Sequence, residues 1–288
     1  METGFVKVAA GSPRIAVADV RANAGAIEAL IRRADEQGAR LLVLPELCLT
    51  GYTCGDLFYS ETLLRAAREE LIRIAEFTRG RKLLAVFGLP VREGGRLYNC
   101  AAVVYDGEVL GMVPKTYLPN SGEFYEQRQF TSGDCMLRPG EIRVGDVAVP
   151  FERRLIFRCR ELPAFAVGVE LCEDVWTPDP PSRMLCQCGA TVIANPSASD
   201  EVIGKRAYRQ MLIESTSARL ICGYVYANAD CGESTQDMVF SQHNLICENG
   251  ARLAENPPFG ADDLIATEID VERMLIERHK MPSYVSAD

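Results

Sequence analysis

The stretch Gly168-Val169-Glu170-Leu171-Cys172-Glu173-Asp174-Val175-Trp176 governs the reading of the whole chain. The residues from Ala164 to Leu171 are nearly all apolar, a run of the length and composition of a strand buried on both faces, and Cys172 stands where the run stops. A rigid strand end is where folds present reactive groups. Two other places repeat the pattern. Leu41 to Leu44 is a continuous apolar run closed by Pro45, and Glu46 follows. Glu108 to Val113 is closed by Pro114, and Lys115 follows. Taken singly, each residue has a plain structural reading: a core cysteine, a carboxylate after a proline, a solvated lysine at a strand end. Together they supply a nucleophile, a base and a cation. A base or cation beside a thiol favours the thiolate, which attacks an amide carbon far better than the thiol does.

Outward from these points the chain alternates helix and strand signals. Phe5 to Ala9 reads as a strand ended by Gly11-Ser12-Pro13. Asn23 is placed to cap a helix running to Gln37, with Ile27, Leu30, Ile31 and Ala34 on one face. A second helix is expected from Ser60 to Arg79, and a strand from Leu83 to Leu89 ended by Pro90. Tyr98 to Tyr105 and Glu108 to Val113 flank Asp106-Gly107, a strong hairpin signal. Short strands and turns follow over 130–160, among them the turns Pro139-Gly140 and Gly145-Asp146. Further strands are expected at Ala190–Ala194, Ile221–Ala227, Met238–Phe240, Asn244–Ile246 and Leu264–Thr267, the last before a short helix. Lys205 to Leu220 reads as an amphipathic helix with Ala207, Met211, Leu212 and Ala218 inward. No linker, repeat or low-complexity segment interrupts the pattern, so residues 1–288 read as one α+β or α/β domain with packed sheet layers.

Bulk properties narrow the function. The chain has 48% hydrophobic and 25% charged residues, enough for a large core. Its net charge of -9 opposes binding to phosphate backbones, so nucleic acid is not an expected partner. No run reaches the roughly 20 apolar residues of a membrane helix, and the first residues lack a basic-then-apolar leader. The eleven cysteines are odd in number, and several, such as Cys100, Cys159 and Cys222, lie within apolar runs. That usage fits core thiols in a reducing cytoplasm better than disulfides. Cys186 and Cys188 lack a second pair at zinc spacing, and no metal site is expected. The only histidines are His243 and His279, so a Cys–His dyad would have to use one of them. A glutamate base with a lysine cation does the same work.

Leu44-Pro45-Glu46-Leu47 with Thr50-Gly51-Tyr52 resembles the glutamate motif of the nitrilase (carbon–nitrogen hydrolase) superfamily. Pro114-Lys115-Thr116-Tyr117-Leu118-Pro119-Asn120 resembles its lysine motif, and the stretch around Cys172 its nucleophile motif. Three further features resemble the amino-terminal glutaminase domain of glutamine-dependent NAD synthetases. They are the Cys-Glu-Asp-x-Trp-x-Pro form from Cys172, Gly51-Tyr52 followed by Asp56-Leu57-Phe58, and Gly232-Glu233-Ser234-Thr235-Gln236-Asp237. The resemblance implies a nitrilase-like α-β-β-α four-layer sandwich. It implies hydrolysis of L-glutamine through a cysteine thioester, the ammonia passing to a carboxy-terminal synthetase domain that makes NAD from deamido-NAD. ATP and deamido-NAD would bind that domain, whose SGGxDS-type loop does not occur in this sequence, and the glutaminase reaction itself calls for no cofactor. It further implies Cys172 as nucleophile, Glu46 as general base, Lys115 and the backbone N–H of Glu173 as oxyanion donors, and Glu123 as a second glutamate holding the lysine and substrate. Ser199 and Lys205 are implied at the amino-acid end of glutamine. Ser121 and Tyr52 are candidates for lining the pocket, although Ser121-Gly122 stands where the family is often aromatic. Trp176, Asn195, Cys48 and Cys54 read more simply as packing or turn residues. A homo-oligomer paired through helix faces is expected. Two other readings stay open: an amidase or nitrilase acting on another small amide, and a non-catalytic module that kept the fold.

Overall fold

The unbroken apolar runs become strands covered on both faces. The computed structural model describes residues 4–135, 140–233 and 237–284. In chain order its elements are β1 (Phe5–Gly11), α1 (Val20–Glu36), β2 (Leu41–Val43), α2 (Glu61–Phe77), β3 (Leu84–Glu93), β4 (Arg96–Tyr105), β5 (Glu108–Pro114), α3 (Glu126–Gln129), β6 (Gly140–Val144) and β7 (Val147–Phe151). They continue with β8 (Ile156–Arg158), β9 (Ala166–Val169), α4 (Pro181–Gln187), β10 (Val192–Pro196), α5 (Lys205–Leu220), β11 (Gly223–Ala227), β12 (Leu245–Glu248), β13 (Ala251–Glu255), β14 (Leu264–Asp270) and α6 (Val271–Lys280). One sheet has eight strands in the order β14-β1-β2-β3-β4-β5-β7-β6, and the other six in the order β13-β12-β11-β10-β9-β8. β1, β2 and β3 run parallel, as do β9, β10 and β11. Parallel neighbours need crossovers, and α1, α2, α4 and α5 supply them.

Alternation along the strands sorts side chains into three apolar layers. Ala9, Leu42, Ala85, Phe87 and Ala102 pack against Ile27 and Ile31 of α1 and Leu71 and Ile74 of α2. Val8, Leu41, Val43, Val86 and Val103 face Val167, Val169, Val192, Val225 and Ile246 of the other sheet. Ile193, Tyr224 and Leu245 turn outward onto Leu185 of α4 and Ile213 and Leu220 of α5. Helices, sheet, sheet and helices thus stack as the expected four layers.

Several local expectations change. The α1 cap is Asp19, whose side chain accepts from the Ala22 N–H. Asn23 lies inside the helix, fully buried, and its amide bonds Ala16 and Leu49. Pro90 does not end β3 but pairs with Asn99 in the ladder. The N–H groups of Leu84 and Gly88 point toward β2 and the loop after it, and a proline at 90 continues that side beyond the end of β2, where no ladder bond is lost. The Asp106-Gly107 turn has φ of 48° and 88°, the type I′ signature. Met238 to Phe240 is not a strand. In α5 the buried residues are Arg209, Ile213, Thr216, Ser217 and Leu220, while Ala207, Met211 and Ala218 face outward. Pro139 lies outside the described residues. Among those described, no helix is long and apolar enough to cross a membrane.

Candidate active site

The loops at the C-terminal ends of β2, β5, β9 and β10 converge, and each brings one part of a buried polar cluster. Glu46 follows β2 in a tight turn. Its neighbour Leu47 has φ of 52°, and the Pro45 carbonyl accepts from the Gly88 N–H at 3.0 Å. Only glycine fits at 88: a Cβ there would lie 2.0 Å from the Leu47 nitrogen and 2.6 Å from the Glu46 Cα. Lys115 extends β5, its N–H donating to the Asn99 carbonyl of β4 at 2.8 Å.

The Lys115 side chain is fully buried, and its Nζ lies 2.6 Å from Glu46 Oε1 and 2.6 Å from Glu126 Oε1. Asn99 Nδ2 donates to Glu46 Oε1 at 2.7 Å and to Glu126 Oε2 at 3.3 Å. Tyr52 donates its hydroxyl to Glu126 Oε1 at 2.7 Å, and the Ala198 N–H donates to Glu46 Oε2 at 3.0 Å. Two carboxyl groups therefore face one ammonium. Burial alone would lower the Lys115 pKa, but Glu126 and Glu46 outweigh it and hold the ammonium charged well above its usual range. Burial pushes Glu126 up to about 7 despite Lys115, with Glu46 adding to the rise.

Cys172 is buried and stands at the start of a 3-10 turn over Cys172–Trp176, with φ of 39°. A non-glycine residue in that left-handed region is strained by roughly 1–2 kcal/mol. The strain is held by its surroundings. The Cys172 N–H donates to Asn195 Oδ1 at 3.0 Å, and Asp174 accepts from the N–H groups of Leu171 at 3.0 Å and Tyr117 at 2.8 Å. Asp174 thus ties the nucleophile turn to the loop after Lys115, and burial pushes its pKa up to about 8. Burial raises the Cys172 thiol well above its ordinary value, and Glu46 raises it further while Lys115 pulls the other way. Burial and Glu46 thus both favour the thiol form of Cys172, and its attack calls for a proton acceptor in place.

Glu46 and Lys115 are in direct contact, and both charges act on the Cys172 thiol. The structure corrects the second glutamate: the carboxylate on Lys115 is Glu126, and Glu123 instead bonds Asp200, a contact that raises the Glu123 pKa. The two candidates lie three positions apart, and the turn from Ser121 to Phe124 followed by α3 swings Glu126 inward. Ser199 is buried, its backbone clasped by the Asn228 amide at 2.8 and 2.9 Å. Lys205 pairs with Asp200, its ammonium 5.3 Å from the Phe124 ring centroid and 5.5 Å from that of Trp176. Trp176 stacks on Tyr208. Ser121 is exposed, Glu173 half-buried beside the sulfur's turn, and Tyr52 packs edge-on to Phe124 and Phe240 beneath Glu126. His243 is fully buried between Arg209 at 2.8 Å and Glu255 at 2.7 Å, and His279 is exposed in the last turn of α6.

Residues the sequence reading passed over include Asn99, Asp174, Glu126 and Glu233. A polar Asn99 within an apolar strand was the available signal for the first. Glu233 accepts from the Thr53 N–H at 3.1 Å and the Thr53 hydroxyl at 3.2 Å, next to Tyr52. Ser234, Thr235 and Gln236 lie outside the described residues.

Comparison with known proteins places this architecture. The family model described as carbon-nitrogen hydrolase matches residues 7–275. The chain belongs to the carbon-nitrogen hydrolase family. Over 98% of its length this carbon-nitrogen hydrolase is 41% identical to the glutamine-dependent NAD(+) synthetase of Mycobacterium tuberculosis, of which it spans 41%. It is 37% identical to that of Mycobacterium leprae, again over 98% of the chain and 41% of the relative. The chain therefore spans less than half the length of these curated relatives. Among solved structures, the glutamine-dependent NAD(+) synthetase from Cytophaga hutchinsonii superposes with a TM-score of 0.82 at 30% identity, covering 93% of this chain and 43% of that one. An amidase from Nesterenkonia sp. shares the fold, with a TM-score of 0.70 at 23% identity and 96% coverage of both chains.

Proposed function

We propose that this chain hydrolyses the side-chain amide of L-glutamine through a thioester on Cys172 and supplies the ammonia to an NAD synthetase domain, which makes NAD from deamido-NAD. The single observation that carries the chemistry is the buried Lys115 ammonium held by Glu46 and Glu126 beside the Cys172 turn. The identity to glutamine-dependent NAD(+) synthetases supports the choice of amide.

Glu46 takes the thiol proton as sulfur attacks the carboxamide carbon. Its two oxygens are fixed by Lys115, Asn99 and Ala198, so it accepts that proton without reorienting. The oxygen of the tetrahedral intermediate takes the negative charge, with Lys115 and the Glu173 N–H as its donors. One such donor is worth roughly 3–4 kcal/mol. Glu46 returns the proton to the departing ammonia, then activates the water that cleaves the thioester. Glu126 keeps Lys115 charged and aimed. Ser199 and Lys205 hold the amino-acid end of glutamine, with Lys205 moving from Asp200 to the substrate carboxylate. Tyr52 acts through Glu126 rather than on substrate.

The test is intact-mass analysis after treatment with a glutamine analogue that carries an electrophilic ketone in place of the amide. One adduct on Cys172, absent in Cys172→Ala, is expected; labelling elsewhere among the eleven cysteines, or none, refutes the reading. A second reading is a hydrolase of another small amide on the same fold, the fold of the Nesterenkonia amidase solved in complex with butyramide. Faster turnover of simple amides than of glutamine would favour that second reading. We also propose a homo-oligomer paired through α5, whose outward face carries Tyr208 at 50% and Met211 at 56% exposure. A purely monomeric sedimentation profile at micromolar concentration counts against it.

A further inference from the structure

We propose that Arg209 is the positioning residue that fixes the Ser199–Asp200 segment for binding the amino-acid end of the substrate. This rests on the reading of Ser199 and Lys205 as that end of the pocket.

Arg209 lies on the inner face of α5 and is fully buried, an unusual place for a guanidinium. Its Nη2 donates to the Asp200 carbonyl at 3.0 Å and approaches Ser199 Oγ at 3.4 Å. Its Nη1 donates to Glu201 Oε2 at 3.1 Å and to His243 Nδ1 at 2.8 Å. One planar group therefore grips three consecutive residues, 199, 200 and 201, immediately after the β10 strand end. A lysine has no fork with which to do this.

Because the guanidinium only donates, Nδ1 of His243 accepts, which places the imidazole proton on Nε2 facing Glu255 at 2.7 Å. The same Glu201 oxygen, Oε2, also accepts from the Ser241 hydroxyl at 2.7 Å. Arg209 is thus braced by Glu201 and His243, and Glu201 in turn by Ser241. The same logic orients Ser199. A guanidinium N–H aimed at its Oγ leaves the Ser199 proton free to point elsewhere, as a donor to an anionic oxygen of a bound amino acid. Among the described residues, the fully buried Arg209 Nε meets no partner at hydrogen-bonding geometry, so the spot keeps unused polar capacity next to Ser199. Burial pushes the Tyr226 hydroxyl up to about 12, with Arg209 opposing the rise and Cys172 adding to it.

The experiment compares the full chain with Arg209→Lys and Glu201→Gln. It measures KM and kcat for L-glutamine, and separately the rate of Cys172 alkylation by iodoacetamide, which has no amino-acid end. For Arg209→Lys, KM is expected to rise about tenfold or more, as for a lost hydrogen bond to a charged group, and to move further than kcat. Alkylation of Cys172 should stay within about twofold, because Glu46 and Lys115 are untouched. Glu201→Gln keeps the hydrogen bond but loses the charge, so a smaller rise of the same kind is expected. An unmoved KM in folded Arg209→Lys overturns the inference, as does alkylation falling in step with turnover. If Arg209→Lys does not fold, Glu201→Gln decides: a raised KM supports the inference and an unmoved KM overturns it. Absence of glutamine turnover in the unmodified chain is a different result, and sinks the functional reading on which the inference rests.

Discussion

Replacing Glu126 by glutamine removes one of the two carboxylates on Lys115 while keeping the shape of the side chain. In the unmodified site both lysine contacts are 2.6 Å and neither partner meets solvent appreciably. A hydrogen bond between charged groups contributes about 1.5–3 kcal/mol. Glu46 remains to neutralise Lys115, so the variant should fold. What it loses is the second restraint on the ammonium that meets the oxyanion, and the Tyr52 hydroxyl loses a charged acceptor. A loss of about 2–3 kcal/mol predicts a roughly thirty- to hundred-and-fiftyfold fall in kcat/KM for glutamine. A second readout separates this from damage. Glu126 is one of the charges that raise the Cys172 pKa, so its removal should move the pH profile of Cys172 alkylation downward, toward easier ionisation, while turnover falls. Glu123→Gln is the control, because that carboxylate faces Asp200 rather than Lys115. If Glu126→Gln turns over within threefold of the parent while Glu123→Gln collapses, the assignment of the second glutamate is wrong.

Gly88→Ala forces a methyl group to within 2.0 Å of the Leu47 nitrogen, so the turn that carries Glu46 must move. About 3 kcal/mol of stability should go, with turnover lost in the fraction that folds, as thermal unfolding and Cys172 alkylation would show; unchanged alkylation would contradict it. Burial pushes Glu233 up to about 7 from an ordinary 4.5. A raised carboxyl pKa adds stability that is complete below about pH 4.5 and disappears as pH rises through 7. The stability of the parent relative to Glu233→Gln should therefore fall by at most about 3 kcal/mol between pH 4.5 and 8, and parallel urea-unfolding curves at the two pH values would rule this out.

Much of the architecture could be read from the residues because buried strands announce themselves. Leu41 to Leu44 and Ala164 to Leu171 are apolar on both faces, and each ends at a reactive side chain. Where the reading failed, polar residues occupied places that composition reserves for apolar ones. The inward face of α5 carries the polar residues Arg209, Thr216 and Ser217; Arg209 bonds Glu201 and His243 and Ser217 the Cys222 carbonyl, all outside the helix, and a hydrophobic periodicity count cannot see such contacts. The β12–β13 hairpin went unnoticed because β13, Ala251–Glu255, is half-exposed, yet its Asn249-Gly250 turn, with φ of 44° and 86°, carries the same signal as Asp106-Gly107. Glu126 differs from Glu123 only by the path of one loop, and spacing does not fix a path. The motif residues Glu46, Lys115 and Cys172 were findable because each follows a strand end by no more than three residues, where the scaffold leaves little choice of direction.

The proton acceptor and the sulfur belong to opposite leaves of the molecule. Glu46, Asn99 and Lys115 extend from the eight-stranded sheet, and Cys172, Asn195 and Ala198 from the six-stranded one. Their separation is therefore set by the thickness of the apolar filling between the leaves, about 10 Å in stacked sheets, which Val86, Val103, Val169 and Val192 help to make up. Widening that filling by a methyl or two would pry base from nucleophile without touching either. Reactivity of the sulfur thus becomes a gauge of how tightly two distant halves of the interior are pressed together.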